Sequence, residues 1–147
     1  MAFFDSNDIS ASALSAQRLR MDVIAENIAN ANTTRAKDGG PYKRKTVTFE
    51  ERPTVRKFSS SLNDALSRIV EGRGVRVRRI AQDDSPGPTV YDPSHPDADS
   101  EGYVGMPNVN IVTEMVNMIS ASRAYEANVT ALATAKTMTA KTLEIGR

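Results

Sequence analysis

The sequence contains no cysteine and no tryptophan, and only one histidine, His95, among its 147 residues. Disulfide staples, thiolate nucleophiles and cysteine-ligated zinc are thereby excluded, and a histidine metal cluster is reduced to a single ligand. The missing thiols leave the compartment open, since they suit a reducing cytosol and an oxidising periplasm equally. No charge-free apolar run is long enough to span a bilayer. The opening stretch from Met1 to Asp8 has neither the basic region nor the apolar region of a secretory signal. Membrane insertion and signal cleavage are therefore not expected. The length suits one modest domain or two small packing units.

Charge is nearly balanced overall, at +1, but it is unevenly placed. Residues 35–79 hold 13 basic and 5 acidic side chains, a net of +8, whereas residues 83–101 hold 6 acidic and no Lys or Arg, a net of −6. Both blocks lie between nearly neutral ends.

Those ends read as helices. From about Asn7 to Ala31 the chain is rich in Ala, Ser, Leu and Ile, lacks Gly and Pro, and is preceded by the capping candidates Asp5, Ser6 and Asn7. Steps of three and four select Ser10, Leu14, Gln17, Met21, Ile24, Ile28 and Ala31 as one stripe. A second helix is expected after Pro107, with Asn110 as N-cap and Glu114 in the first turn suiting the helix dipole. It runs to Ile145 without Gly or Pro, a length of about 50 Å at 1.5 Å per residue. Its stripe is Ile111, Met115, Met118, Ser122, Tyr125, Val129, Leu132, Lys136, Thr139 and Leu143, flanked by alanines such as Ala121, Ala124 and Ala135 that permit close approach of a neighbouring helix. A first helix of roughly 25 residues cannot cover a second of about 35, so some apolar face is left for other copies to cover.

Between the helices, Thr46 to Phe49 and Val75 to Ile80 alternate apolar with polar residues as half-buried strands do. Phe58 to Val70 reads as a short amphipathic helix carrying Leu62, Leu66, Ile69 and Val70, closed by Gly72 and Gly74. Ser85 to Pro107, with five prolines, reads as a structured loop without regular secondary structure. The fold expected is mainly α with a small β-containing middle subdomain, the two long terminal helices packed as a coiled-coil-like pair. It divides the chain into 1–34 and 108–147, the helices of an assembly core, and the middle segment 35–107.

No catalytic, cofactor-binding or metal-ligating set emerges. Asp92, His95, Asp97, Asp99 and Glu101 imitate the first half of a calcium loop, but the twelfth position is Asn108 where a bidentate Glu is needed. Asx caps on a turn are the simpler reading. Gly72-Arg73-Gly74 is too short to cradle a phosphate. The basic residues Lys43, Arg44, Lys45, Arg52, Arg56, Lys57, Arg76, Arg78 and Arg79 lack interleaved aromatics and any nucleic-acid motif, so they read as a solvated or partner-facing surface that meets the acidic block of the same or the next subunit. Neither nucleic acid nor a small-molecule substrate is expected. The candidates for packing are Leu14, Met21, Ile24, Asn27, Ile28 and Asn30 on the first helix, and Met115, Met118, Tyr125, Val129, Leu132 and Leu143 on the second. Buried amides at Asn27 and Asn30 would need partners that apolar residues cannot replace.

Asn27-Ile28-Ala29-Asn30-Ala31-Asn32-Thr33-Thr34, followed by Tyr42-Lys43-Arg44, resembles the N-terminal signature of the bacterial flagellar rod and hook axial proteins. Ala121-Ser122-Arg123-Ala124-Tyr125-Glu126-Ala127-Asn128 resembles their C-terminal one. Residues 90–98 and 105–110 look like those of proximal-rod members, whose short length agrees. The resemblance implies a non-enzymatic subunit of the rod that crosses the periplasm, exported without signal cleavage and stacked helically. Its implied partners are further copies of itself, other proximal and distal rod proteins and the adaptor to the membrane ring. By the same resemblance the terminal helices form the inner tube and the middle segment contacts adjacent subunits. The reading from another class is a small soluble module that uses the basic middle segment on an acidic ligand or nucleic acid.

Overall fold

A computed structural model describes residues 2–37, 39–52 and 74–145. The expected helix between Phe58 and Val70 lies outside the described residues. In chain order the elements are α1 (Ala2–Ala29), β1 (Lys45–Glu51), β2 (Val75–Gln82), β3 (Thr89–Tyr91), β4 (Tyr103–Gly105) and α2 (Ile111–Ile145). The fold is mainly α with a small β middle region.

Helix α1 begins at Ala2, ahead of its expected caps, because neither Gly nor Pro stops it. Asn7 lies inside the helix, and its side-chain oxygen is buried without a hydrogen-bond partner, so it does not cap. Helix α2 starts where expected: Asn110 Oδ1 accepts the Thr113 N–H at 3.1 Å, closing the first turn. The two helices pack along each other over much of their length. Asn27 near the end of α1 bonds Glu114 at the start of α2, so the pair is antiparallel. The longer α2, 35 residues against 28, extends past its partner. Leu143 accordingly stays 71% exposed.

The seam of α2 differs from the expected stripe. Residues at least half withdrawn from solvent recur at Glu114, Met118, Ala121, Tyr125, Asn128, Leu132, Ala135 and Thr139, in steps of four and three. Met118, Tyr125, Leu132 and Thr139 belong to both sets. Of the remaining stripe residues, Ser122 is half-buried and Ile111, Met115, Val129, Lys136 and Leu143 are exposed; just before three of these, Glu114, Asn128 and Ala135 face inward. The inner line therefore mixes small, polar and large apolar residues, with Glu114 held inward by its bond to Asn27. On α1 the expected stripe from Ser10 to Ala31 is buried or half-buried at every position.

Strands β1 and β2 pair antiparallel, with a bulge that leaves Arg78 unpaired between Thr48↔Arg79 and Phe49↔Val77. Val47, Phe49, Val75 and Val77 form a half-buried face, and α1 lies against this sheet. Ser12 of α1 accepts the Val75 N–H at 3.1 Å. Gly74 makes that approach possible: its φ is +89°, and a Cβ there would sit 2.2 Å from Ser12 Oγ. A second, three-residue pair, β3–β4, with Val90 opposite Val104, occupies the stretch expected to be irregular. Its prolines flank the two strands or lie in the turn between them, so no ladder N–H is lost. Val104 is buried at its base.

Candidate functional site

A polar clasp fixes the end of α1, the start of β1 and the first turn of α2 together. Asn27, with 0% exposure, has its whole amide satisfied. Its Nδ2 donates to Lys45 O at 2.8 Å and to Glu114 Oε2 at 3.0 Å. Its Oδ1 accepts from Tyr42 Oη and from Lys45 N, both at 2.9 Å. Glu114, 1% exposed, takes Arg44 Nε at 3.0 Å, Arg44 Nη2 at 2.7 Å and Asn117 Nδ2 at 3.2 Å on its other oxygen. Burial is the largest influence on the Glu114 carboxyl and opposes its ionisation. The hydrogen bonds from Asn27 and Arg44, the Arg44 charge and the Asn117 bond together outweigh it and hold the carboxyl below its ordinary range. Burial first, then the Glu26 and Glu114 charges, push the Tyr42 phenol up to about 12. Lys45 pairs with Glu26 and lies over the Tyr42 ring, 5.7 Å from its centroid.

Asn108 extends the clasp. Its Oδ1 accepts the Arg44 N–H at 2.8 Å, and its Nδ2 donates to Asp83 O and Ser85 O at 2.9 and 3.1 Å. The end of β2, the start of β1 and the approach to α2 are therefore joined through one amide. The clasp has no chemistry of turnover to offer: its carboxylate is paired and its phenol is held protonated.

The calcium-like stretch is occupied with its own backbone. Asp92 accepts from the Ser94 hydroxyl and N–H, and these bonds hold its carboxyl low. Asp99 caps the N–H groups of Glu101 and Tyr103. His95 Nδ1 accepts the Asp97 N–H, while Asp97 takes the Thr34 hydroxyl and faces Arg35. The same device recurs at Asp83, whose carboxyl is lowered by the Ser85 hydroxyl and N–H. These are the Asx turns that the sequence suggested.

Of the packing candidates, Ile24 and Asn27 are buried, and Leu14, Met21, Ile28, Asn30, Met118, Tyr125 and Leu132 are half-buried. Met115, Val129 and Leu143 face solvent. Asn30 bonds locally: its Nδ2 reaches Glu26 O at 2.9 Å and its Oδ1 accepts the Thr33 hydroxyl. Two features escaped the sequence reading. Tyr42, Arg44 and Glu114 are brought to Asn27 only by the tertiary fold. Val112, Met115, Val116 and Ile119 form an apolar strip on α2 turned away from the α1 seam, each more than half exposed. Their spacing of three, one and three residues is a helical signal that was present in the sequence but masked by the neighbouring stripe.

An unequal antiparallel helix pair with a clasped end and an uncovered apolar strip defines a packing subunit. The family model described as "Flagella basal body rod protein" matches residues 8–37. The model described as "Flagellar basal body rod FlgEFG protein C-terminal" matches residues 100–145. Similarity to proteins named flagellar basal-body rod protein FlgC extends over the whole chain. That of Bacillus subtilis is 49% identical, with 100% of both chains covered. That of Borreliella burgdorferi is 47% identical over 99% of this chain and 98% of its own. The Salmonella typhimurium protein is 43% identical over the full length of both. The chain belongs to the FlgC family of flagellar basal-body rod proteins.

Proposed function

We propose that the chain is a structural subunit of the flagellar basal-body rod, not an enzyme, and that it works by packing its helices against those of neighbouring subunits. The observation that carries the mechanism is the strip of Val112, Met115, Val116 and Ile119, which is exposed opposite a seam already closed by α1. Water contact over such a strip is unfavourable by about 25 cal/mol for each Å² of apolar surface, and a neighbouring helix removes it. The clasp sets the angle at which that strip is presented. Coiled-coil-like packing with neighbours would continue where the C-terminal end of α2 passes the start of α1, with Leu143 uncovered. The twelve candidate residues thus divide into those that hold the hairpin, such as Ile24 and Asn27, and those that meet neighbours, such as Met115, Val129 and Leu143.

Many such subunits, stacked helically with other copies and with other rod proteins, give a stiff shaft that carries torque across the periplasm. The neighbours we assign are proximal and distal rod proteins and the adaptor to the membrane ring. Among the described residues no helix is long and apolar enough to cross a membrane. Export without a cleaved signal peptide is part of the same proposal. The rival reading, a basic module for acidic ligands, is weakened because Lys43, Arg44 and Lys45 each pair with a carboxylate of the same chain.

The test replaces Val116 and Ile119 with Asp in the bacterium that encodes the chain. Both side chains are exposed, so the purified variant should unfold within a few degrees of the parent. Basal bodies should lose the subunit, and swimming should stop. Normal swimming of a strain carrying this variant would rule out the strip as a packing surface.

A further inference from the structure

We propose that the rod subunit has a second, electrostatic contact with another copy of itself: the outer face of the β1–β2 sheet receives the acidic, tyrosine-bearing β3–β4 hairpin of the next copy. This rests on the reading of the chain as a rod subunit.

The receiving face follows from the strand register. Thr46, Thr48 and Glu50 of β1 share one side with Ala81, Arg79 and Arg76 of β2, opposite the half-buried valines and Phe49. The bulge adds Arg78 at the edge of the same group, its Nε 3.6 Å from Glu50 Oε2. Arg76 and Arg78 therefore lean on a single glutamate, and Arg79 has no carboxylate partner among the described residues. All three guanidinium groups are on exposed residues. The result is a surplus of positive charge on this face of the sheet, carried by three exposed arginines.

The hairpin is its complement in charge and in chemistry. It lies in the block of net charge −6. Tyr91 and Tyr103 pair across the strands with ring centroids 5.3 Å apart in an edge arrangement, 65% and 45% exposed. Asp99 and Glu101, both exposed, lie beside them in the turn. Two exposed tyrosines flanked by carboxylates are a surface that arginine recognises twice, by stacking on the ring face and by donating to the acid. A solvated turn has no need of such an aromatic pair.

Within one subunit these surfaces do not meet: among the described residues, β3–β4 makes no contact with β1 or β2. Complementary patches held apart on one molecule join head to tail between molecules, and a heterologous contact of this kind propagates as an open helix unless it closes into a ring. It would fix the rotation of one copy against the next, which an apolar strip, tolerant of sliding, does not.

A reciprocal charge swap tests the contact. Arg79→Glu and Glu101→Lys each place like charges across the interface, while the double variant restores an opposite pair. In a strain lacking the native chain, each single variant should lower the amount of subunit recovered in purified basal bodies at least tenfold. The double variant should return it to within twofold of the parent. Normal recovery for the singles, or failure of the double to rescue impaired singles, would overturn the contact. Failure of the native chain itself to enter basal bodies would instead overturn the rod reading on which the contact rests.

Discussion

Replacing Asn27 with Leu is the sharpest probe of the clasp, because it keeps the branched outline of the side chain and puts methyl groups where both polar atoms were. The amide makes four hydrogen bonds, so four groups lose a partner: the Lys45 N–H, the Lys45 carbonyl, the Tyr42 hydroxyl and Glu114 Oε2. Each buried group left unpaired costs about 1–3 kcal/mol, with more for a charged one. Lys45 is only half-buried and water can reach part of its backbone, which brings the sum to about 4 kcal/mol. For a chain of this size that corresponds to a fall in Tm of about 10–15 °C. Asn30→Leu provides the comparison, since its amide bonds are local and partly solvated, and it should cost below about 1 kcal/mol. Thermal and urea unfolding of the purified full chain, followed by far-ultraviolet circular dichroism, measures both. If Asn27→Leu matched Asn30→Leu, the clasp would not be what closes the hairpin, and its bonds would be incidental to packing.

Two further outcomes are expected. The clasp makes stability depend on pH at both extremes. Glu114 ionises more readily folded than unfolded, so the unfolded chain binds more protons in acid, and the stability this group supplies is lost as pH falls below the ordinary carboxylate range; Glu114→Gln should flatten that acid limb in urea titrations. Tyr42 is the reverse case: its contribution is intact below the ordinary phenol value of about 10 and is lost as pH rises toward about 12, and Tyr42→Phe should remove that alkaline limb. Gly74→Ala should destabilise by about 2–3 kcal/mol through its positive φ and the overlap with Ser12, and adding Ser12→Ala should recover part of the loss; an unchanged unfolding midpoint for Gly74→Ala would mean that the sheet does not approach α1 so closely.

What the sequence disclosed, and what it withheld, follows from which interactions are local. Both long helices were legible because Gly and Pro are absent from them and because Asn110 is a local cap. Strands β1 and β2 were legible from alternation, though not their bulge, which depends on how the two strands are matched across an intervening segment. The β3–β4 pair was hidden because three-residue strands among prolines leave no periodic trace. The clasp was half visible. Asn27 was marked as an amide needing partners and Glu114 as a dipole complement, but no spacing rule links position 27 to 44 and 114. Which α2 residues face α1 was not legible, because hydrophobicity alone picks Met115 and Val129, whereas the inner line is set by Glu114 bonding Asn27 and by the small side chain of Ala121, which is fully buried.

The inward position of Glu114 has a physical meaning for assembly. A helix whose largest apolar residues all face its own partner has little left with which to bind neighbours. Here the inner line of α2 alternates Met118, Tyr125 and Leu132 with Ala121, Asn128 and Ala135 and begins with a clasped carboxylate, so apolar burial, close approach and the Glu114 bonds together hold the hairpin. Val112, Met115, Val116 and Ile119 are left outside as a consequence. Direction-dependent bonds at the clasp thus set which apolar residues of α2 meet its own partner and which remain outside. The division is economical in a short chain, because the same first turns of α2 carry the clasp on one face and the apolar strip on the other. It also explains why an acidic residue is fully buried at the start of that helix. With Glu114 on the inner line, bonded to Arg44 and Asn27, the helix cannot rotate to hide its apolar strip against α1 without breaking an ion pair, and the strip stays available to the next subunit.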